Sequence, residues 1–326
     1  MRTVKASSEN WPLRQAFTIS RGTKTEAGVI VVEVSENNVT GRGECVPYAR
    51  YGETIDSVLK QIQVTAPLIE DGVTTEALLN KLDAGAARNA IDCALWDLNA
   101  KLNGQRVWEI ARIPMPEPAI TAYTLSLDTP EAMGIVAKEN SYRPLLKLKL
   151  DAEQIVERVQ AVHESAPGAS LIVDANEAWD MKLLEQVVPD LHGLGVKMIE
   201  QPLPAGSDEP LRSFKSTIPL AADESCHTAH DFDELPHKYD MINIKLDKTG
   251  GLTEALKLRR MAKDANMQWM VGCMIGTSLG MAPATLLTQG ASFVDLDGPL
   301  LLKHDREPGL NYDNNRVHPP APSLWG

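Results

Sequence analysis

The chain has 326 residues, of which 43% are hydrophobic and 23% charged, and this composition excludes a disordered or fibrous protein. Its 32 Lys and Arg residues and 44 Asp and Glu residues give a net charge of −12, which argues against a nucleic-acid-binding protein because such proteins carry a basic face. The length is that of two domains, or of one barrel with an addition.

The first hundred residues predict a unit of strands followed by helices. Residues 29–34 (VIVVEV) are typical of a strand, and residues 40–44 follow the turn at Asn37-Asn38 as its hairpin partner. Apolar residues at helical spacing predict three helices, over residues 54–68, 75–82 and 86–102. The last of these stops at Asn103-Gly104, a common helix end, and the order of elements indicates an α+β domain.

After the Pro-rich residues 113–118, strands and helices alternate. Eight strands are predicted, over residues 120–125, 145–150, 170–174, 197–200, 220–223, 241–246, 268–272 and 292–296. Helices over residues 152–166 and 252–265 lie between strands, and the polar strand ends from Lys149 to Lys245 are 22 to 26 residues apart. Such a steady repeat is typical of βα units, and eight of them predict an α/β fold with a (β/α)₈ TIM barrel.

The predicted organisation has three parts. Residues 1–113 form the N-terminal α+β domain, with its boundary at the Pro-rich stretch. Residues 114–301 form the barrel that carries the active site, and residues 302–326 form an irregular tail that packs back on the first domain.

Charged residues stand at the C-terminal ends of the predicted strands, where the active sites of barrels lie. Covered parallel strands are nearly unbroken apolar runs, yet in residues 145–150 (LLKLKL) Lys147 and Lys149 share one face. If the leucines meet the helices, both ammonium groups point into the barrel, which is costly unless they are paired or used. Five further strand ends place polar residues on one face: Asp174 with Asn176, Glu200, Asp223, Asn243 with Lys245, and Asp295 with Asp297.

Single members of this set have simpler explanations. An Asp after a strand often caps the next helix, as Asp174 or Asp223 would if it stood alone. A lone strand lysine such as Lys147 is more often a surface residue or a partner of neighbouring carboxylates. The ordered set on consecutive strands is much harder to explain without a metal-dependent site.

Three acidic residues on successive strands predict that metal site. Asp174, Glu200 and Asp223 offer carboxylate oxygens and no soft ligand, which suits a hard cation such as Mg²⁺, one per chain. Lys149 precedes the acids by one strand and Lys245 follows them by one, so a closed barrel places the two lysines on opposite sides of the ion. A substrate carboxylate bound to the metal would hold its α-carbon between them.

This arrangement suits the inversion of a stereocentre. Removing a proton α to a carboxylate creates a doubly charged enediolate, which a metal ion stabilises by several kcal/mol. A nearby cation and partial desolvation lower the pKa of a lysine and make it a usable base. With one base on each face, a proton leaves from one side and another returns from the opposite side, which is racemisation or epimerisation.

Five short motifs resemble those of the enolase superfamily, muconate-lactonizing subgroup, and the resemblance covers nearly the whole chain. They are Lys147-Leu148-Lys149, Asp174-Ala175-Asn176, Glu200-Gln201-Pro202, Asp223-Glu224-Ser225 and residues 245–251 (KLDKTGG). The resemblance implies an enolase-like, modified barrel with an N-terminal capping domain. It also implies that Asp174, Glu200 and Asp223 bind Mg²⁺, that Lys149 and Lys245 are the acid/base pair, and that Lys147 lies near the substrate carboxylate.

Within the subgroup the chain is most similar to dipeptide epimerases of the L-Ala-D/L-Glu type. Residues 295–299 (DLDGP) resemble the clamp for the free ammonium group of the dipeptide, and a pair of carboxylates is a natural cation site. The alternative is that Asp297 only caps the loop that follows it.

Residues 19–26 (ISRGTKTE) lie where the loops of this family cover the substrate. The resemblance places Arg21, Lys24 and Asn176 among the substrate-binding residues. Lys24 stands where those epimerases usually have an arginine that meets the side-chain carboxylate of the epimerised Glu. Lysine keeps the charge but loses the bidentate fork, so we expect a looser preference for an acidic residue. The alternative is an exposed loop lysine.

The resemblance implies a Mg²⁺-dependent epimerase that inverts the α-carbon of the C-terminal residue of a dipeptide. L-Ala-L-Glu and L-Ala-D-Glu are the expected pair, and the recycling of murein peptides is the implied role. Alternatives in the subgroup are an N-acylamino acid racemase, an o-succinylbenzoate synthase and a cycloisomerase, whose substrates lack the free ammonium group. A Schiff-base aldolase has no use for three carboxylates, and a barrel that only binds ligands has no use for an acid/base pair.

The predicted setting is the cytoplasm. No apolar run reaches the roughly 18 residues of a membrane helix, and residues 1–9 lack the apolar core of a signal peptide. The four cysteines are far apart and form no CxxC pair, which indicates reduced thiols. The expected partner is a small dipeptide, with neither nucleic acid nor membrane, and the sequence leaves a homo-oligomer open.

Overall fold

The computed structural model describes residues 2–326 and opens with a three-stranded antiparallel sheet. Its strands are β1 (Thr3–Ile19), β2 (Gly22–Glu36) and β3 (Val39–Cys45), in that order. The hairpin predicted over residues 29–44 is confirmed, although β2 is much longer than expected. Strand β1 was not predicted, because most of its side chains are exposed and its sequence therefore lacks apolar alternation.

Helices of the first domain cover one face of this sheet. They are α1 (Ile55–Glu70), α2 (Thr75–Leu78), α3 (Ala86–Asn103) and α4 (Val107–Ile110). A capping box between Thr54 and Ser57 starts α1, and Gly104 ends α3 in the left-handed conformation with φ 62°. Helix α3 lies so close to β3 that a Cβ on Gly43 would stand 2.1 Å from the Ala90 carbonyl oxygen. The three predicted helices are confirmed, but the second is one turn rather than two.

Eight parallel strands follow in chain order around the second domain. They are β5 (Tyr123–Leu125), β6 (Leu145–Lys149), β7 (Ser170–Asp174), β8 (Val196–Glu200), β9 (Leu220–Ala222), β10 (Met241–Ile244), β11 (Gln268–Val271) and β12 (Phe293–Val294). The Ala122 N–H just before β5 donates to the Val294 carbonyl of β12 at 2.7 Å, which links the first strand to the last.

The strand predicted over residues 120–125 is wrong in its first part. Residues Ala119–Ile120 form a separate strand, β4, which pairs with the tail strand β14 (Arg316–Val317), and β14 pairs in turn with β13 (Tyr312–Asp313). The chain changes sheets there, because the Thr121 N–H still bonds to the Asn315 carbonyl while that of Ala122 bonds to the barrel.

The helices around the barrel are uneven. They are α5 (Pro130–Glu139), α6 (Ile155–Ser165), α7 (Met181–Gly193), α8 (Leu246–Thr249), α9 (Leu252–Asp264), α10 (Ser278–Met281) and α11 (Gly298–Leu301). After β8 and β9 the chain forms 3₁₀ segments rather than α-helices. None of the helices within residues 2–326 has both the length and the apolar surface needed to cross a membrane.

The barrel interior explains where the charges lie. One apolar residue from or beside each strand joins a single cluster: Ala122, Leu145, Ile172, Met198, Ala221, Met241, Met270 and Phe293. Side chains alternate along a strand, so the residues two positions on face the interior as well. Those residues are Thr124, Lys147, Asp174, Glu200, Asp223, Asn243, Gly272 and Asp295. A polar layer therefore lies directly above an apolar floor.

The tail runs back onto the first domain. Trp325 donates from its indole Nε1 to the Cys93 carbonyl, and the Gly326 N–H donates to Asp97 Oδ1 at 2.7 Å. Arg42 of β3 donates to the carbonyls of residues 323 and 324. We therefore propose the three parts predicted above: a capping domain of residues 1–113, a barrel of residues 114–301 and a tail of residues 302–326.

Asp92 links the two domains through a fully buried carboxylate. It accepts from the Thr253 hydroxyl at 2.6 Å and from the Thr253 N–H at 3.0 Å, at the start of α9. Burial raises the pKa of Asp92 to about 7, although the hydrogen bonds from Thr253 favour the charged form. The carboxyl thus takes up a proton on folding. Its contribution to stability is present below its unfolded pKa of about 3.9 and is lost as the pH rises through the folded value.

Replacing Asp92 with Asn should therefore flatten the dependence of stability on pH. Relative to Asp92→Asn, the free energy of unfolding of the unmodified chain should fall by roughly 2 to 3 kcal/mol between pH 5 and pH 8. Urea unfolding of both proteins across that range measures the difference. Parallel curves would show that Asp92 does not titrate there.

Candidate active site at the barrel mouth

A cavity of about 450 Å³ opens at the C-terminal ends of the barrel strands, beneath the turn between β1 and β2. The barrel lines it with Thr124, Lys147, Lys149, Asn176, Asp223, Glu224, Lys245, Cys273, Asp295 and Asp297, among others. The capping domain adds Phe17, Ile19, Arg21, Lys24, Tyr48, Arg50 and Tyr51. Both domains therefore build this cavity, and nearly all the predicted site residues line it. Asp174 and Glu200 lie deeper.

The three predicted metal ligands are buried side by side. Asp174, Glu200 and Asp223 have 0%, 0% and 2% of their surface exposed and stand at or just beyond the ends of the neighbouring strands β7, β8 and β9. Against the effect of burial, Lys149 and Lys147 hold the pKa of Asp174 below its ordinary value, and Lys245 and Lys248 do the same for Asp223. Burial, together with Asp174, raises the pKa of Glu200.

The carboxylates do not yet converge on one point. Within residues 2–326, no three His, Cys, Asp or Glu side chains are placed to hold a common ion. Lysine ammonium groups stand among them instead: Lys147 Nζ is 2.7 Å from Glu200 and 3.3 Å from Asp174. Lys245 Nζ is 2.6 Å from Asp223 and 3.7 Å from Glu200. The three predicted ligands therefore form a row of carboxylates that are paired with lysines.

The donor set nevertheless fits a hard cation. Three carboxylates offer only oxygen, the ligand type that Mg²⁺ prefers. Among residues 2–326, buried Glu200 Oε2 and Asp223 Oδ1 have no hydrogen-bond partner, although Lys147 and Lys248 approach them at ion-pair distance. A divalent ion would take over oxygens that now face lysines.

Lys149 and Lys245 stand on opposite flanks of this acidic row. Lys149 Nζ contacts Asp174 on β7 at 2.5 Å, whereas Lys245, just after β10, contacts Asp223. Both side chains line the cavity and are at most one-tenth exposed. Burial alone would lower the pKa of Lys245, but Asp223 and Glu200 raise it well above its ordinary value. The lowered pKa predicted for this lysine therefore requires those carboxylate charges to be neutralised by a cation.

Lys147 and the eighth strand form a second cluster. Lys147 Nζ lies 2.8 Å from Asp295, and Asp297 accepts the Thr124 N–H at 2.6 Å. Burial and the neighbouring Asp295 raise the pKa of Asp297 to about 7. Of these two buried carboxylates, Asp295 is within ion-pair distance of Lys147 and Asp297 is bonded to a backbone N–H, so the cluster can accept another cation.

The capping-domain residues differ in what they touch. Lys24 lines the cavity, lies 5.2 Å from the Tyr48 ring centre and forms no ion pair within residues 2–326. Arg21 also lines the cavity, but its guanidinium donates to the Asn176 carbonyl, Tyr48, Glu177 and Glu224. The geometry therefore leaves Lys24 available to a substrate anion, whereas Arg21 is already used by the protein. The Asn176 side-chain Oδ1 is buried without a partner at the cavity wall.

The sequence reasoning missed three buried residues that support the site. Lys248 is 1% exposed, pairs with Asp223 and donates to the carbonyls of residues 223, 226 and 243. Gln201 accepts the N–H groups of Asp223 and Ser225. Glu224 pairs with Arg21 at 2.8 Å. All three belong to the motifs quoted above, which was the available signal, but their contacts depend on the tertiary fold.

Comparison with known proteins places both domains in sequence families. Residues 1–111 match the family described as "Mandelate racemase / muconate lactonizing enzyme, N-terminal domain". Residues 133–322 match the family described as "Enolase C-terminal domain-like". The two matches together span most of the chain.

Two characterised relatives are similar to nearly the whole chain. The L-Ala-D/L-Glu epimerase of Escherichia coli (strain K12) is 47% identical over 320 residues, which are 98% of this chain and 100% of that protein. The N-acetyl-D-glutamate racemase of Pseudoalteromonas is 47% identical over 302 residues, 91% of this chain and 95% of that protein.

Two solved structures have similar folds. An enolase family member from Agrobacterium tumefaciens, described as homologous to dipeptide epimerases with bound sodium and L-Ala-L-Glu and an ordered loop, has a TM-score of 0.98 and 47% identity, and covers 100% of both chains. A dipeptide epimerase from Enterococcus faecalis, described as complexed with Mg and L-Leu-L-Tyr, has a TM-score of 0.90 and 28% identity. It covers 98% of this chain and 96% of that one.

Proposed function

We propose that this chain, which belongs to the mandelate racemase and muconate lactonizing enzyme family of the enolase superfamily, is a Mg²⁺-dependent dipeptide epimerase. The reaction inverts the α-carbon of the C-terminal residue, and L-Ala-L-Glu and L-Ala-D-Glu are the proposed pair. Three of the four relatives named above are named for a dipeptide or described with one bound.

One observation carries the proposal: two lysines flank a row of three buried carboxylates at a shared cavity. Lys149 contacts the first acid of the row and Lys245 the third, with Glu200 on the strand between them. A substrate carboxylate placed at the middle of the row has an amine on each side of its α-carbon. Two bases on opposite faces are what a stereochemical inversion requires.

Each group of residues at the cavity has a separate role in the proposed reaction. Asp174, Glu200 and Asp223 would hold Mg²⁺, which supplies positive charge against the enediolate that forms on the substrate. For one epimer Lys149 removes the α-proton and Lys245 returns one from the opposite face, and for the other epimer the roles exchange. Lys147, 1% exposed, adds a fixed positive charge beside the substrate carboxylate.

Two charged groups around the cavity suit the two ends of an acidic dipeptide. Asp295 and Asp297 are the buried acceptors for the N-terminal ammonium group. Lys24, on the capping-domain wall, is the counter-ion for a side-chain carboxylate. Because lysine gives a point charge rather than a fork, the selectivity for Glu over a neutral residue is proposed to be modest.

N-acylglutamate racemisation is the second candidate, since the Pseudoalteromonas relative is named for N-acetyl-D-glutamate. Its substrate offers the same two carboxylates but no ammonium group. It therefore brings Asp295 and Asp297 no cation in addition to Lys147, and burying two carboxylates near one lysine is costly. The acidic pair favours the dipeptide.

Incubation with L-Ala-L-Glu and Mg²⁺ in D₂O tests the proposal. We expect L-Ala-D-Glu to appear with deuterium at the Glu α-carbon, and a chelator to stop the reaction. N-acetyl-L-glutamate and L-Ala-L-Gln serve as comparison substrates. The absence of α-exchange across acidic dipeptides and N-acetylglutamate would refute both candidates.

The biological setting is part of the same proposal. L-Ala-D-Glu is a piece of peptidoglycan peptides, and we propose a role in recycling it in the cytoplasm. Support comes from the cysteines, since Cys45, Cys93 and Cys226 are buried free thiols, as expected for a reducing compartment.

A further inference from the structure

The turn between β1 and β2 covers the cavity and is held to the barrel at its base. Phe17 pairs with Lys24, Thr18 with Thr23, and Ile19 with Gly22 in the antiparallel register. Phe17, Ile19 and Lys24 line the cavity. On the barrel side, the Thr18 N–H donates to the Ser126 hydroxyl at 2.8 Å, and its carbonyl accepts the Leu127 N–H at 3.0 Å.

Two residues hold the tip of the same turn: the Ser20 hydroxyl donates to the Asn176 carbonyl at 3.2 Å, and Arg21 makes the charged contacts. Arg21 donates to Glu224 Oε1 at 2.8 Å and to the Asn176 carbonyl at 2.8 Å. It also donates to Glu177 at 3.2 Å and to the Tyr48 hydroxyl at 3.0 Å. One guanidinium therefore joins the turn, a second capping-domain loop and two loops of the barrel.

The pair with Glu224 is the most enclosed of these contacts. The Glu224 side chain is 2% exposed and that of Arg21 26%, whereas the neighbouring pair of Arg50 with Glu177 has 40% and 8%. Enclosed charge pairs are disrupted at far greater cost than exposed ones. The other Glu224 oxygen, Oε2, is buried and has no hydrogen-bond partner in the part of the chain that the structure describes. Arg21 is thus the group that neutralises a carboxylate next to Asp223.

We propose that Arg21 is a positioning residue: its ion pair with Glu224 fixes the β1–β2 turn over the cavity and so places Lys24 for the substrate. The proposal rests on the proposed function only for the identity of the substrate. It differs from the direct substrate contact implied by the sequence resemblance, because the donors of Arg21 are directed to protein oxygens. Lys24, three residues further along, makes the contact instead.

Hydrogen–deuterium exchange of the peptide spanning residues 17–24 tests the ion pair without any assay of activity. Exchange in this peptide should rise in Glu224→Gln and rise at least as far in Arg21→Gln, which also loses the contacts with Asn176, Glu177 and Tyr48. The double variant should match Arg21→Gln, because the pair with Glu224 is already broken there. Arg212→Gln, which breaks an exposed pair with Glu209 and Glu234, is the matched control and should leave the peptide unchanged. If Arg21→Gln does not fold, Arg21→Lys keeps the charge but loses the fork. Unchanged exchange in the variants would overturn the proposal even if the chain is an epimerase.

Substrate preference provides the second test. Arg21→Gln and Glu224→Gln should each reduce kcat/KM for L-Ala-L-Glu by about tenfold or more, mainly by raising KM. Both variants should also lower the preference for L-Ala-L-Glu over L-Ala-L-Gln to the same degree. Lys24→Met should lower that preference without faster exchange in residues 17–24. Glu224 carries no positive charge in either protonation state and therefore cannot be the counter-ion of a substrate carboxylate. A loss of preference in Arg21→Gln but not in Glu224→Gln would therefore show direct contact by Arg21 and refute the positioning role.

Discussion

Replacing either Lys149 or Lys245 with Met should abolish epimerisation while leaving half of the proton exchange intact. Each lysine lies on its own flank of the acidic row, in contact with Asp174 or Asp223. A variant with one remaining base can remove and return the proton only on that face. We expect the rate of epimerisation to fall by about 10²- to 10⁴-fold, the usual contribution of a positioned acid or base.

The two variants should retain exchange with opposite epimers. Incubating each variant with L-Ala-L-Glu and with L-Ala-D-Glu in D₂O, followed by NMR of the Glu α-proton, measures this directly. Lys197→Met is the control, because this lysine is exposed on β8 and should have no effect. Exchange of the same epimer by both variants, or epimerisation by either at the rate of the unmodified protein, would contradict the arrangement of two opposed bases.

Replacing Asp295 with Asn should selectively remove turnover of dipeptides. Asn keeps an oxygen for Lys147, 2.8 Å away, but removes the charge available to an ammonium group. Loss of one member of a buried charge pair costs about 2 to 4 kcal/mol, which predicts a fall in kcat/KM of roughly 30- to 1000-fold for L-Ala-L-Glu.

The same variant should treat N-acetyl-L-glutamate as the unmodified protein does, and its affinity for Mg²⁺ should be unchanged. Calorimetric titration with Mg²⁺ and assays of both substrates give these values. An equal loss with both substrates would show that Asp295 maintains the position of Lys147 rather than recognising an ammonium group. Full activity on the dipeptide would assign the site to the N-acylglutamate candidate.

The sequence predicted the position of a side chain wherever the alternation of side chains along a strand determines which face it lies on. In residues 145–149 the side-chain period alone predicts that Lys147 and Lys149 face the barrel interior, and both are buried there. The acidic row is predictable for the same reason, since Asp174, Glu200 and Asp223 each stand two positions after a residue of the apolar floor. Local physical rules determine these positions.

Contacts between distant segments were not predictable in this way. Arg21 meets Asn176 and Glu224 across 155 and 203 residues, so no local pattern distinguishes an anchoring arginine from one that binds substrate. The lysines that occupy the space among the acids likewise depend on how the barrel closes. Strand β1 was missed because its exposed side chains leave only backbone pairing with β2 to define it.

A crystal structure with Mg²⁺ and L-Ala-L-Glu bound would test the central claim most directly. We expect one ion held by Asp174, Glu200 and Asp223, with Lys149 Nζ and Lys245 Nζ on opposite faces of the Glu α-carbon. Both nitrogens on the same face, or an ion bound away from these carboxylates, would contradict it.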